Sequence, residues 1–224
     1  MTEQFSSTKN KSINYDNITA GLFLFSTGLF KKSLLADTFS IWADSGFDKS
    51  AILTFPEAWA TSLSYLFQLY FDFSGYVDMA SGAALLFNIH LPFNFNSPYK
   101  ATEIQDFWRR WHITLSRLLK DYIYMPLGGN RSGNILTYRN LLLTFIAGGI
   151  WHGAGLNFIF WGFLHGCAIV IHKIWEKSGF KLNNFWGWFI ILIFFNFSLI
   201  FFRTETAESA LKVLKGMSGF SLQN

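Results

Sequence analysis

The sequence predicts an all-α integral membrane protein, a helical bundle in which at least one helix breaks or re-enters. Residues 140–172 contain no Asp, Glu, Lys or Arg. Hydrophobic residues make up 51% of the chain and aromatic residues 20%, while only 14% are charged; soluble domains average about 25% charged residues. As one helix, the uncharged run would be about 50 Å long, whereas a bilayer core is about 30 Å thick.

The uncharged run has an evident place to break. Gly148, Gly149, Gly153 and Gly155 flank His152, and glycine tolerates backbone angles that other residues avoid. Non-helical backbone at membrane depth survives only where protein or a water-filled cavity surrounds it. An ionisable side chain at such a break is a functional-site hypothesis by default.

The remaining composition excludes several other classes of protein. The net charge of +4 comes from basic residues scattered between apolar runs, so nucleic acid is not a predicted partner. The single cysteine, Cys167, excludes an internal disulfide and a zinc–thiolate cluster, and we assign no metal site. The polar residues 1–16 show no cleavable signal peptide.

The first half of the chain predicts one short apolar segment and one long helical region. Residues 18–30 are apolar and end at two lysines, which fits a half-span or an interfacial anchor. Residues 36–49 read as a loop. Residues 58–87 are predicted to form one long helix, or two, with two carboxylates at an intermediate depth in the membrane. The Pro- and Asn-rich residues 91–100 are predicted to form a loop.

The second half predicts an interfacial helix and further spans. Residues 102–124 are amphipathic and basic, which is typical of a helix lying in the membrane interface. Residues 126–133 form a glycine-rich turn before the uncharged run. Residues 185–202 are uncharged and about as long as one transmembrane helix, and residues 205–224 form a mildly amphipathic tail.

Two histidines are the strongest candidates for chemistry. His152 is either a general base, since a neutral imidazole can take a hydroxyl proton near neutral pH, or a partner for a backbone carbonyl exposed at the break. His112 follows Trp111 in the basic amphipathic segment. It either lies beside lipid headgroups or helps to hold a substrate and polarise an acyl carbonyl.

For other polar residues, we favour structural roles over chemical ones. Asp72 and Asp78 are six residues apart and do not share a helix face, so we expect them to bond backbone groups or arginines elsewhere in the bundle. The turn around Asn130 could hold an anion, but a tight turn between two elements is the favoured reading. His165 and His172 share a helix face, and we favour core or interface histidines over a haem pair.

Several long motifs, in order, resemble the membrane-bound O-acyltransferase (MBOAT) family, and within it the bacterial branch typified by alginate O-acetyltransferase. The resemblance runs from about residue 28 to residue 175. It is carried by the segments 70–80, 106–116, 121–131, 139–143 and 148–154.

The resemblance implies a polytopic helical bundle around a tunnel, formed by residues 1–224 as a single, partial membrane domain. It implies transfer of an acyl group, usually acetyl, to a hydroxyl of an extracytoplasmic polymer. The two signature histidines of the family map onto His152 and His112, as catalytic residues. The residues assigned to substrate binding or to the tunnel and its entrance are Trp108, Arg109, Arg110, Trp151, Asp72, Tyr76 and Asn130.

The same resemblance sets expectations about context. Family members are typically about twice this long, so we expect a fragment, or spans supplied by another polypeptide. No tightly bound cofactor is implied; the acyl donor, acetyl-CoA or an acylated partner protein, is a co-substrate. The implied partners are membrane lipid, a polysaccharide acceptor and acetylation partner proteins, and the implied location is the bacterial inner membrane, crossed several times.

Three hypotheses therefore stand on the sequence. The first is an O-acetyltransferase acting on an exopolysaccharide, with alginate ahead of peptidoglycan or another cell-wall glycan. The second is a non-catalytic proton or ion path that uses His152 and Asp72 as relay groups. The third is a haem-binding membrane subunit that uses His165 or His172.

Overall fold

Helices account for the regular structure of the described residues, 2–6 and 8–219 of a computed structural model. The α-helices are α1 Thr2–Ser6, α2 Tyr15–Phe30, α3 Asp37–Asp44, α4 Phe55–Leu86, α5 Ile104–Arg110, α6 Ile113–Leu119, α7 Asn134–His152, α8 Leu156–Lys177, α9 Asn184–Arg203 and α10 Ala207–Met217. Wider π-helical turns occupy Lys31–Ala36, Ser45–Lys49 and Lys120–Tyr124, and 3₁₀ turns occupy Thr8–Lys11 and Pro98–Lys100. Over these residues no strand forms, which confirms the predicted all-α class.

Three stretches of the described chain are long and apolar enough to cross a membrane: Tyr15–Lys49, Leu156–Lys177 and Asn184–Arg203. The last of these confirms the span predicted at residues 185–202. The first is longer than predicted, because residues 36–49 are helical; the loop expected there is wrong. Phe39 stacks on Phe71 of α4, and the Phe47 ring meets Tyr65 edge-on. This packing outweighs the weak helical signal of the polar residues.

α4 is one unbroken helix of 32 residues. At its start, the Glu57 carboxylate accepts hydrogen bonds from the backbone N–H and the hydroxyl of Thr54, and a proline occupies the first turn, where no N–H is needed. It ends before Asn88, whose φ is +58°. The Asn88 amide donates to the carbonyls of Asn10 and Ser12, so the end of α4 anchors the N-terminal segment.

α2 and α4 pack backbone to backbone through two pairs of glycines. A Cβ added to Gly28 would lie 2.5 Å from the Gly75 carbonyl oxygen, and one added to Gly82 would lie 2.5 Å from the Gly21 carbonyl oxygen. The reverse distances are 2.7 Å in both pairs. Glycines seven residues apart on each helix thus form one close, antiparallel contact, as small residues do between membrane helices.

Two ion pairs flank this contact. Lys31 Nζ lies 2.5 Å from Asp78 Oδ2, and Lys32 contacts Asp72. The expectation that both aspartates have structural partners is supported, but the partners are lysines of the π-helical turn after α2 rather than backbone groups or arginines. In an apolar setting, pairing is what makes such charges tolerable.

α7 and α8 form an antiparallel hairpin, which confirms the predicted break of the uncharged run. α7 ends at His152 and α8 begins at Leu156, after three connecting residues. A Cβ on Gly149 would lie 2.2 Å from the Phe158 carbonyl oxygen, and one on Gly162 would lie 2.3 Å from the Phe145 carbonyl oxygen. The two helices can therefore approach this closely only with glycine at both positions.

α9 and α10 close the bundle around an aromatic core. The Phe107 ring of α5 lies 4.4 Å from Phe195 of α9, measured between centroids. Arg203, at the end of α9, pairs with Asp44 and Asp48 of the first helical stretch. α10 confirms an amphipathic tail over the residues described there; residues 220–224 lie outside them.

Replacing Gly28 with leucine should disrupt the α2–α4 contact, because the new side chain would collide with the backbone of α4. Overpacking of this kind costs about 1–3 kcal/mol. We expect a lower melting temperature and several-fold less protein in the membrane. The matched control is Ala20→Leu, on an exposed position of the same helix, which should match the unsubstituted protein; equal losses from both substitutions would contradict the contact.

Removing one partner of the Lys31–Asp78 pair should destabilise the fold more than removing both. Asp78→Ala leaves the lysine ammonium without its partner, at a cost on the order of 1–3 kcal/mol. The double substitution Lys31→Met, Asp78→Leu should restore most of the lost melting temperature. A double variant as unstable as the single one would refute this account of the pair.

Candidate functional site

His152 is the last residue of α7 and lies at the tip of the α7–α8 hairpin. Residues 153–155 connect the two helices, and Gly153 and Gly155 have extended backbone, with φ of 164° and −73°. The His152 side chain is half-buried. Its imidazole meets the Phe202 ring edge-on at 5.0 Å and the Trp161 ring edge-on at 5.2 Å, centroid to centroid.

The hairpin places His152 beside the end of α9. Phe202 is the penultimate residue of α9, and the Asn157 amide at the start of α8 donates to the Thr204 carbonyl just beyond α9. The chain therefore reverses direction at His152, beside the end of α9, and the depth of this histidine in the membrane stays a prediction.

His112 occupies a second backbone break, between α5 and α6. Its φ of +42° and ψ of 56° lie in the left-handed region, which costs a non-glycine residue of the order of 1 kcal/mol. The single amphipathic helix predicted over residues 102–124 is therefore divided here. Left-handed backbone at a non-glycine residue persists only where its surroundings hold it, and it is frequent at functional sites.

Asn94 holds this break in place. Its backbone carbonyl accepts from the Ile113 N–H at 3.0 Å, and its side-chain oxygen accepts from the Thr114 hydroxyl at 2.6 Å and the Thr114 N–H at 3.3 Å. The same oxygen lies 3.2 Å from His112 Nδ1. Sequence reasoning assigned Asn94 only to a loop, because nothing local shows that the loop folds back onto α6.

These bonds fix the tautomer of His112. The Asn94 oxygen can only accept, so His112 Nδ1 carries the proton and Nε2 is free to accept. Burial lowers the pKa of His112 below its ordinary value, which favours the neutral ring. In this state His112 can accept a hydrogen bond from a hydroxyl, but it has no N–H left with which to polarise an acyl carbonyl.

Trp151 lies between the two candidate histidines. Its ring centroid is 5.0 Å from that of His152 and 6.2 Å from that of His112. The indole is 59% exposed, so this side of the site is open rather than enclosed by protein. His112, Trp151 and His152 therefore form one continuous surface.

Aromatic rings make the other wall of the site. Phe73 of α4 meets the His112 imidazole edge-on at 4.8 Å, and Trp161 lies against His152. Trp108 reaches this wall through Trp161, at 5.9 Å between centroids. Trp108 therefore lies behind this wall, and its predicted role at an interfacial entrance stays a prediction. Phe73 and Trp161 were not singled out from the sequence.

The other assigned residues have different neighbours. Arg110 pairs with Asp106 and donates to a loop carbonyl, while Arg109 is exposed. Asp72 is engaged by a lysine of the first helical stretch, and Tyr76 is 61% exposed on α4. Among the described residues, no hydrogen bond, ion pair or ring contact joins any of these four to either candidate histidine.

Asn130 lies exposed on the turn over residues 126–133, and the tight-turn reading fits the structure. Asn140 is fully buried and its amide donates to the carbonyls of Leu127 and Gly129, each at 3.0 Å. Gly128 and Gly129 have φ of +103° and +57°, which glycine adopts readily. The carbonyls of the turn thus face a buried amide.

The two histidines of α8 lie apart from this surface. His165 is fully buried and its Nε2 bonds Ser198 Oγ at 3.0 Å, as expected of a core histidine. His172 Nε2 lies 3.7 Å from Glu176 and 3.9 Å from Glu103. In the described part of the chain, no group of three or more His, Cys, Asp or Glu side chains could hold a metal ion.

A recess of about 190 Å³ opens beside Asn94. Its walls include the apolar Leu24, Val77 and Phe93, together with Asp78. Because Asn94 also holds His112, the recess approaches the site from the α4 side. A tunnel that reaches the histidines stays a prediction.

Comparison with known proteins identifies the chain. The family model of the membrane-bound O-acyltransferases matches residues 1–208. The chain is 57% identical to the peptidoglycan O-acetyltransferase of Helicobacter pylori, and the match covers 99% of this chain and 43% of that protein. It is 39% identical to a probable alginate O-acetylase of Pseudomonas fluorescens, and the match covers 98% of this chain and 44% of that protein. It is 32% identical to a teichoic acid D-alanyltransferase of Bacillus subtilis over 59% of its own length and 37% of that protein.

The chain thus spans a little under half the length of these curated relatives. Its match to the family model nevertheless extends through α9, beyond the uncharged run and the two histidines that carried the resemblance. The chain belongs to the membrane-bound O-acyltransferase (MBOAT) family.

Proposed function

We propose that this chain forms part of an acyltransferase that esterifies hydroxyls of an extracytoplasmic glycan, with His152 as the general base. The observation that carries the proposal is the continuous surface of His112, Trp151 and His152, built from two separate backbone breaks. The left-handed backbone at His112 costs free energy, and the break after His152 brings the second imidazole to the same surface. Two imidazoles on one open surface suit the handling of a hydroxyl proton.

In this mechanism, the acceptor glycan lies between the two imidazoles, with the reacting O–H directed at His152. His112 Nε2 accepts a hydrogen bond from a neighbouring hydroxyl of the same glycan, which orients the acceptor. His152 takes the proton as the hydroxyl oxygen attacks the acyl carbonyl, and the resulting imidazolium returns it to the leaving group of the donor. One ester bond forms, the bond between the acyl group and its carrier breaks, and the protons balance.

The aromatic wall serves the same reaction. Phe73, Trp161 and Phe202 surround the imidazoles with apolar surface, which keeps bulk water away from the acyl group. Excluding water matters because hydrolysis of the donor competes with transfer. The flat, exposed ring of Trp151 offers a face on which a sugar ring can stack.

Among acceptors, the comparisons favour a cell-wall glycan. The sequence alone ranked alginate ahead of peptidoglycan. The identity of 57% to a peptidoglycan O-acetyltransferase, against 39% to a probable alginate O-acetylase, reverses this order. Acetyl is the proposed acyl group, carried by acetyl-CoA or by an acylated partner protein.

The proposed setting is the bacterial inner membrane, which the chain crosses several times as part of a single membrane domain. Partner proteins on the outer side would carry the acyl group or the glycan. Arg109 and Arg110, on the short helix α5, are proposed to lie at the entrance, where their charges can meet anionic headgroups or substrate. Tyr76, Asp72 and Asn130 are proposed to line the approach rather than the reacting centre.

The two hypotheses of other classes find less support in the contacts. A relay between His152 and Asp72 would need them joined, but Asp72 is paired with Lys32. The haem reading would need an accessible ring nitrogen, whereas Nε2 of His165 bonds Ser198 and the side chain is fully enclosed.

His152→Ala should abolish glycan acetylation while the protein still accumulates in the membrane. Loss of a general base lowers the rate by about 10²–10⁴-fold. The substitution belongs in the native gene, with ester-linked acetate measured on purified cell-wall glycan and on exopolysaccharide. The control is His90→Ala, at an exposed histidine, which should leave acetylation unchanged. If the acetate content is also unchanged in His152→Ala, His152 is not the general base.

Asn94→Ala should lower acetylation by about tenfold, a fraction of the effect of losing a base outright. The substitution removes the acceptor that holds His112 Nδ1–H and Thr114, so the ring loses its orientation. Asn96→Ala is the matched control in the same loop, since the Asn96 side chain is exposed. If both variants acetylate equally well, His112 does not depend on Asn94.

A further inference from the structure

Three buried ring nitrogens without partners belong to side chains that pack against one another behind the wall of the candidate site. They are Nε1 of Trp108, Nε1 of Trp161 and Nδ1 of His165. The rings contact one another in pairs, with centroids 5.9 Å apart for the two indoles, 5.1 Å for Trp108 and His165, and 4.7 Å for Trp161 and His165. A buried polar atom without a hydrogen bond costs about 1–3 kcal/mol, so three in one cluster need a common explanation.

The two indole nitrogens can only donate. Ser198 Oγ lies 2.8 Å from the Phe195 carbonyl oxygen, and when it donates its proton there, it accepts from His165, which then carries its proton on Nε2. In this tautomer, the one on which the following proposal is built, His165 Nδ1 is an acceptor. The cluster presents two donors and one acceptor, from α5 and from two successive turns of α8.

We propose that one water molecule binds among Trp108, Trp161 and His165, and that His165 thereby acts as a positioning residue for His152. The water oxygen accepts from both indole N–H groups, and one water hydrogen is donated to His165 Nδ1. Buried waters typically make about three hydrogen bonds to groups that are otherwise unsatisfied. The site is almost fully enclosed: His165 is 0% and Trp161 4% exposed.

This water links α5 to α8 at the wall of the candidate site. Trp161 is held on one side by the water and presents its other side to the His152 imidazole. His165 does not reach the reacting atoms; it acts through Trp161. The water site stands independently of the proposed acyl transfer, whereas the positioning role rests on it.

The water is tested on the protein in lipid nanodiscs, with ¹⁵N-labelled tryptophan and histidine. Solid-state NMR should show two indole protons in contact with a water that exchanges slowly with bulk, and a histidine protonated at Nε2 alone. Trp108→Phe and Trp161→Phe assign the two indole signals. If neither indole proton contacts water, or if His165 is protonated at Nδ1, the water site is wrong.

The positioning role is tested with two substitutions of His165 that differ in one property. His165→Phe keeps a ring but has no acceptor, whereas His165→Asn keeps an acceptor oxygen near the position of Nδ1. We expect kcat of acyl transfer to fall about tenfold in His165→Phe with KM little changed, because misplacing a catalytic group slows chemistry more than binding. His165→Asn should lie within about threefold of the unsubstituted protein.

The two arms separate the possible failures. If His165→Asn is as slow as His165→Phe at equal membrane content, His165 has no positioning role, whatever the NMR shows. If His152→Ala also leaves acyl transfer unchanged, the proposed function has failed. The NMR experiment then still decides, independently of activity, whether the water is bound. If both His165 variants fail to accumulate, Trp161→Phe replaces them, because it keeps an aromatic ring but loses the indole N–H donor. We expect Trp161→Phe to lower kcat as well. An unchanged kcat would overturn the positioning role of His165.

Discussion

The candidate site depends on the close contact between α7 and α8. Gly149 and Gly162 let each helix lie directly on a carbonyl of the other, so the chain must reverse over residues 153–155 and His152 must lie at the tip. Any side chain at these glycines would separate the helices and move the imidazole away from Phe202 and Trp161. A packing constraint in the hairpin thus sets the position of a side chain whose proposed role is chemical.

His112 is positioned at the same surface by a different kind of interaction. His112 is held in a left-handed conformation by Asn94, a residue from the loop that precedes α5. One histidine is therefore placed by helix packing and the other by a hydrogen-bonded loop. The α2–α4 glycine contact supports both arrangements indirectly, because α4 carries Phe73, which packs on the His112 ring.

Sequence patterns predicted those features that arise from local composition. The uncharged run, with its glycines, predicted the break after His152, and the apolar length of residues 185–202 predicted α9. The loop predicted at residues 36–49 was wrong because its helical state depends on packing against α4. Asn94, Trp161 and the lysine partners of Asp72 and Asp78 could not be found from spacing, since each acts on a residue distant in sequence.

The resemblance to the family identified the two histidines, and the structure adds how each is held and in which state. For His112 the difference is chemical: with Nδ1–H bonded to Asn94, the ring offers an acceptor and not the donor that polarising a carbonyl would require. For His165 the buried bond to Ser198 engages Nε2 and leaves Nδ1 without a partner in a ring that packs against two indoles. Neither detail is visible in a motif.

The most direct test of the central claim is a structure of the protein from its native membrane, bound to a glycan acceptor and a non-transferable analogue of the acyl donor. The measured quantity is the distance from the acceptor hydroxyl oxygen to the nearer ring nitrogen of His152. We predict about 3 Å, the reach of a general base, with the acyl carbonyl beside it on the surface formed by His112 and Trp151. An acceptor hydroxyl bound elsewhere, with His152 closed off by its aromatic neighbours, would contradict the account.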